Sequence, residues 1–171
     1  MPERLTVADL SSLDRDAFVG AVGAVFEHSP WVMERAWAKR PFVSREAFIA
    51  ALGDVLREAG REHQLSLINA HPELAGKLAI RGELTADSAR EQTGAGLAAC
   101  SPEEFFTLQQ LNTAYREKFG WPFIVAVKGL NRQQIIAEMT RRIERTPDEE
   151  FAETLAQILR IASFRLDDLI A

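Results

Sequence analysis

Ser101 to Gly120, SPEEFFTLQQLNTAYREKFG, reads as one helix with both of its ends marked. Ser101 and Glu104 form a capping box, in which each side chain satisfies a backbone N–H of the other. Pro102 takes the first helical position, where a missing N–H does no harm, and Gly120 supplies the left-handed residue that ends the helix. The same punctuation recurs along the chain. Asp14 caps a helix through about Phe26, with Phe18, Val22 and Val25 on one face. Ser29-Pro30-Trp31 opens a short second helix. Ser44 opens a third, carrying Ala47, Phe48, Ala51, Leu52, Val55 and Leu56 at core spacing, and Gly60 closes it. A segment from about Arg61 carries Leu65 and Ile68 and stops before Pro72. Asn131 caps a helix through about Arg145, and Thr146-Pro147-Asp148-Glu149 opens the longest, to about Ile170. The pattern predicts an all-α fold, a compact single-domain bundle over residues 1–171 with about eight helices.

Composition bounds the function. The chain has 171 residues, 47% hydrophobic and 26% charged, which is ordinary for a globular protein with its own core. A net charge of -5 argues against nucleic acid as partner, because phosphate binding needs a clustered basic face. The densest basic run, Arg141, Arg142 and Arg145, is read as a solvated helix face. The single cysteine, Cys100, excludes an internal disulfide and is read as a packed thiol. The amino terminus MPERLTVADL lacks the apolar stretch of a signal peptide, and no apolar run approaches the ~18 residues of a membrane span. The expectation is a cytoplasmic protein without a membrane partner.

One stretch breaks the helical pattern. Trp121-Pro122-Phe123-Ile124-Val125-Ala126-Val127 is apolar, rich in β-branched residues and bounded by Gly129, so a short extended segment is expected near 122–128. No second strand is available to pair with it. Its N–H and C=O groups then need other partners: a ligand, or side chains and water around a core-spanning connector.

Chemistry concentrates between Asn69 and Leu97. His71 precedes Pro72, which drives it out of helical geometry at a helix end, where its pKa can be tuned. His28 and His63 share no ligand spacing with it, so no metal site is expected. Ser88, Glu91 and Gln92 lie at i, i+3 and i+4 and share a helical face with Ala95. A solvated face is the plain alternative. Against it, the helix offers only alanines to a core and ends in Gly94 and Gly96, which permit close backbone approach.

Arg165 is out of place by periodicity. The apolar seam of the last helix reads Phe151, Leu155, Ile158, Ala162, Arg165, Leu169, while Glu153, Gln157, Arg160, Asp167 and Asp168 fall on the wet face. A guanidinium in a seam needs an anionic partner. An internal carboxylate such as Glu91, a ligand carboxylate held bidentately, or snorkelling to the bundle end would each satisfy it.

These residues lie in blocks that resemble the OHCU decarboxylases, enzymes of urate degradation acting on 2-oxo-4-hydroxy-4-carboxy-5-ureidoimidazoline. The blocks are FEHSPWVMERAWAKRPF (Phe26 to Phe42), INAHPELAGK (Ile68 to Lys77), SAREQTGAGL (Ser88 to Leu97), LNTAYREKFGWPFIVAVKG (Leu111 to Gly129) and ASFRLDDL (Ala162 to Leu169). They occur in order and span nearly the whole chain. Ala98 departs from the acidic residue usual after Ala-Gly-Leu, and Trp121 stands where phenylalanine is more usual.

The resemblance implies an all-α, cofactor-free homodimer that converts OHCU to (S)-allantoin and CO2. It implies His71 as general acid, Glu91 as the group that hydrogen-bonds the substrate hydroxyl, and Arg165 as the partner of the anionic group. Pro72, Ser88 and Gln92 would line the ring and ureido pocket. The backbone of Phe123, Ile124, Val125, Ala126 and Val127 would bind substrate. Two rivals remain: a hydrolase acting on a ureido or amidine group of a related purine breakdown product, and a non-catalytic helical dimerisation module. The latter calls for an apolar residue at position 165.

Overall fold

A computed structural model describes residues 3–171; Met1, Pro2 and the side chains of Lys77 and Leu78 lie outside the described residues. Side-chain caps set most helix starts. Asp14 accepts from Ala17 N–H, Ser44 from Ala47 N–H, Thr85 from Ser88 N–H, and Ser101 from Glu104 N–H. Each such cap stabilises its helix by about 1 kcal/mol. Among the described residues there are ten α-helices: α1 (Val7–Ser12), α2 (Arg15–Val22), α3 (Trp31–Trp37), α4 (Arg45–Glu58), α5 (Arg61–Asn69), α6 (Lys77–Ile80), α7 (Ala86–Gly94), α8 (Pro102–Phe119), α9 (Arg132–Arg142) and α10 (Pro147–Leu169). The fold is all-α, as the caps foretold. The two helices beyond expectation are α1 and α6, too short for periodicity to reveal, although Thr6 and Asp9 do form a capping box before α1. No helix among the described residues is long and apolar enough to cross a membrane.

The chain divides into two compact units, Met1–Ala70 with Leu159–Ala171, and His71–Ile158. In the first, Phe18, Phe42 and Phe48 make an aromatic cluster with ring centroids 4.7–6.1 Å apart. Arg45 at the start of α4 reaches the Ser163 carbonyl (3.0 Å) and the Asp167 carboxylate near the end of α10. Leu5 and Ile170 add a single parallel bridge.

In the second unit, α8 buries Leu108, Asn112, Tyr115 and Phe119. Tyr115, Phe119, Trp121, Phe123 and Phe151 form a continuous ring cluster. The expected extended stretch is present as buried, ladder-free backbone from Pro122 to Val127.

Four surface assignments are corrected here. Arg142 is not on a solvated face: it shares the buried side of α9 with Ile135 and Met139, and its side chain is 0% exposed. Arg141, one residue earlier, is on the surface and pairs with Glu138 at 2.5 Å. Glu153 and Gln157 are half-buried rather than wet, and Leu169 is 43% exposed rather than in the seam. The buried face of α10 instead begins with Glu150 and Thr154 and continues through Ile158, Ile161, Ala162, Arg165 and Leu166. Polar residues at its start hid that register from a reading based on apolar spacing.

Candidate active site

His71 follows Ala70, the C-cap of α5, and is buried, 7% exposed. The backbone after it carries no helix until α6. Helix side chains hold this loop in place. Gln92 of α7 accepts from Ala75 N–H at 3.0 Å, and its amide nitrogen lies 3.4 Å from the Glu73 carbonyl. From α8, Gln109 donates to the Ala75 carbonyl at 2.7 Å and Asn112 to the Leu74 carbonyl at 2.9 Å. Arg116 pairs with the Glu73 carboxylate at 2.7 Å. Ala75 sits at φ 51, a left-handed conformation that a non-glycine residue keeps only where its surroundings enforce it. The amide grip on both its N–H and its C=O supplies that enforcement.

Ser88 and Gln92 are buried on α7 and Glu91 is half-buried beside them, so the polar face is not a solvated one. Ser88 stands in the first turn, its N–H donated to the Thr85 cap at 3.2 Å. Gly96 is left-handed (φ 81) and meets the Arg132 guanidinium, whereas Gly94 has open space around it and is not a point of close approach.

Phe123, Ile124, Val125, Ala126 and Val127 are all buried. Arg142 donates to the Ile124 carbonyl at 2.6 Å, and Ala126 N–H donates to the Gln157 side-chain oxygen at 2.9 Å. Arg142 is in turn held by Glu150, with Nε and Nη2 at 2.9 and 2.8 Å from Oε1. The Tyr115 hydroxyl donates to the same oxygen at 2.6 Å, and Arg145 approaches the other at 3.4 Å. The guanidinium carbon lies 4.4 Å from the centre of the Phe123 ring. Burial, followed by the bond to Glu150, pushes the Tyr115 phenol up to about 12. Trp121 Nε1 and Asn112 Oδ1 are buried with no hydrogen-bond partner among the described residues.

In the other unit, Arg165 is 6% exposed, and Nη1 lies 3.1 Å from the Val25 carbonyl and 3.5 Å from a carboxylate oxygen of Glu27. A buried internal carboxylate therefore does face the arginine, and it is Glu27 from the loop before α3. Periodicity did not single out Glu27, because it lies between helices. The loop anchors Gln109 and Asn112 were missed as well, although Asn112 stands out as a polar residue between Leu108 and Tyr115 on the buried face of α8.

A cavity of about 520 Å³ is lined by residues that include Ala75, Ala79, Ala89, Gln92, Leu97 and Phe105. Of the expected site residues only Gln92 borders it, so this apolar space is not where the polar groups gather. Cys100 on its wall donates to the Leu97 carbonyl at 3.2 Å, and burial raises its thiol pKa, as befits a packed rather than a reactive cysteine. Among the described residues no group of three His, Cys, Asp or Glu side chains is placed to hold a metal ion.

The sequence model of the OHCU decarboxylases matches residues 11–167. The chain belongs to the OHCU decarboxylase family. Two relatives named OHCU decarboxylase are similar in sequence. That of Halalkalicoccus jeotgali is 42% identical over 97% of this chain and 92% of its own length. That of Haloferax volcanii is 43% identical over 95% and 94%. A crystal structure of (S)-allantoin synthase superimposes with a TM-score of 0.75 at 27% identity, covering 97% of this chain and 54% of that one.

Proposed function

We propose that the protein converts 2-oxo-4-hydroxy-4-carboxy-5-ureidoimidazoline to (S)-allantoin and CO2, the decarboxylation of urate breakdown. What carries this reading is the family match, which runs through both compact units without interruption and has relatives named for this decarboxylation over nearly their full lengths. The same continuity supports the two units working as one domain.

The chemistry asks for a proton and an electron sink. Loss of CO2 breaks the bond between the carboxylate and the hydroxyl-bearing ring carbon, and the electron pair shifts into the adjacent C=N of the ring. The ring nitrogen takes up a proton as it receives that pair, and the resulting enol becomes the ring carbonyl by giving up its O–H proton while another is delivered to the ureido-bearing carbon. Delivery from one face sets the S configuration. His71 is the assigned proton donor, since an imidazole titrates near neutral pH and burial shields it from exchange with bulk water. Glu91 is assigned the substrate hydroxyl and Arg165 the anionic group. Pro72, Ser88 and Gln92, with the backbone of 123–127, are assigned the ring and ureido group. The homodimer in the proposal follows the family resemblance and is read by light scattering; the cytoplasmic placement follows the composition and is read by fractionation.

The test is incubation with freshly generated substrate, followed by circular dichroism of the product. Spontaneous decay gives racemate, so an excess of (S)-allantoin measures catalysis. His71→Asn is expected to keep the fold and to lower the enzyme-dependent excess by roughly 100-fold or more. Full turnover in that variant would remove His71 from the mechanism. Release of urea or ammonia in place of CO2 would select the hydrolase reading.

A further inference from the structure

The segment from Phe123 to Val127 is gripped at two points by side chains to which the proposed chemistry gives no role. Arg142 takes the carbonyl of Ile124 at 2.6 Å, and Gln157 takes the N–H of Ala126 at 2.9 Å. In an extended chain, residues two apart present their polar groups to the same edge, and the residue between them presents its own to the opposite edge. The two side chains thus stand where a neighbouring strand would stand, and they turn Val125 the other way.

Both grips are themselves braced. Arg142 is fully buried, its fork occupied by Glu150 and the Ile124 carbonyl, its plane against Phe123. Glu150 is fixed by Tyr115 and Arg145. The Gln157 amide nitrogen donates to Glu153 one turn back on α10 at 3.2 Å, which leaves its oxygen aimed at Ala126. A buried charge is an expensive way to hold a connector, since desolvation offsets most of the ion-pair attraction. It is well suited to fixing one carbonyl in one direction, because a planar fork with two occupied sites cannot rotate.

We infer that Arg142 and Gln157 are positioning residues for substrate binding: they hold Ile124 and Ala126 from one edge so that Val125 presents its N–H and C=O to the ureido-bearing ring at the other. This rests on the proposed function, in which the backbone of 123–127 binds substrate. It adds which side chains orient that backbone and which residue between them meets the ligand. Neither side chain touches substrate.

The experiment compares the full-length protein with Gln157→Met, Arg142→Lys and the double variant Glu153→Gln, Gln157→Glu. The double variant restores an oxygen acceptor for Ala126 N–H, with a donor one turn back. Initial rates are measured below the melting temperature of each variant, alongside amide hydrogen exchange. Gln157→Met is expected to raise KM about 10-fold with kcat changed less than about 3-fold, the signature of weakened binding rather than impaired chemistry. Exchange at Val125 and Ala126 should accelerate about 10-fold while the helices keep their protection. The double variant should return both toward the parent. Arg142→Lys should act in the same direction; if it does not fold, Gln157→Met decides alone. A lowered melting temperature with KM within twofold of the parent and unchanged exchange at 124–126 would make the grip purely structural and overturn the inference. A parent protein that yields only racemic allantoin would refute the proposed function instead. The exchange measurement would then still uphold or overturn the grip by itself.

Discussion

The loop that follows His71 and the segment that precedes Gly129 are both backbone without a ladder, yet opposite chemistry holds them. The buried grip on the loop is made by neutral amides: Gln92, Gln109 and Asn112 bond to residues 73–75 at 2.7–3.4 Å, and the one ion pair there, Arg116 with Glu73, is partly exposed and adds little. The segment hangs on a buried guanidinium at 2.6 Å with one amide beside it. A buried amide bond is worth about 0.5–1.5 kcal/mol net, and losing one leaves its neighbours in place. A buried ion pair contributes little net when whole, but removing one member strands the other. The loop should therefore fail by degrees and the segment all at once.

The largest effect tests the charged side. Arg142→Met leaves Glu150 buried without its principal cation and is expected to lower the unfolding free energy by about 3–5 kcal/mol in urea titration. Replacing Arg142 and Glu150 together with methionine should recover most of that loss. A single variant as stable as the parent would break the comparison. On the neutral side, Gln92→Leu takes the acceptor from Ala75 N–H and should destabilise by about 1–3 kcal/mol. Ala75→Gly relieves the left-handed φ of 51 and should stabilise by up to about 1 kcal/mol, unless the looser unfolded chain offsets it.

Alkaline titration reads the charged side a second way. The Tyr115 phenol is raised from 10.0 to about 12 in the folded protein, by burial first and by its bond to Glu150 second. The fold favours the protonated form, so the contribution is intact below pH 10 and is lost as pH rises from there through 12. Tyr115→Phe should flatten that part of the stability profile; an unchanged slope would mean the phenol ionises freely in the fold. The smallest effect belongs to Trp121, whose buried indole N–H has no partner among the described residues. Trp121→Phe should leave the melting temperature within a few degrees of the parent, upward if the orphaned donor outweighs the lost ring area. A fall of 10 °C or more would show that the indole does more than fill space.

Much of this could be read in advance, for reasons that differ from residue to residue. Ser44, Ser101 and Asn131 cap helices through bonds spanning three residues, so their meaning is local and survives without the fold. His71 is marked by its place before Pro72 at a helix end, and Ser88 and Gln92 by sharing a face of a helix with only alanines to pack; all three are buried. Arg142 was misread because it sits between Arg141 and Arg145 in a charged run. Its register with Ile135 and Met139 carried the contrary signal. Gln157 was misread because it falls among the acidic and amide residues of α10, one of which, Glu153, is its own hydrogen-bond partner. Glu27 was invisible, since nothing local to a residue between helices announces a partner 138 positions away.

By itself the sequence determined all but the two shortest helices, their caps, the one stretch that would not be helical, and the family to which the chain belongs. Those follow from interactions within a few residues and from motifs that keep their spacing. Only the tertiary structure decided which polar side chains turn inward and what they hold: Gln92 on Ala75, Arg142 on Ile124, Gln157 on Ala126, Glu27 by Arg165. A buried polar group is costly without a partner, and that partner is supplied by packing between elements that sequence spacing does not relate.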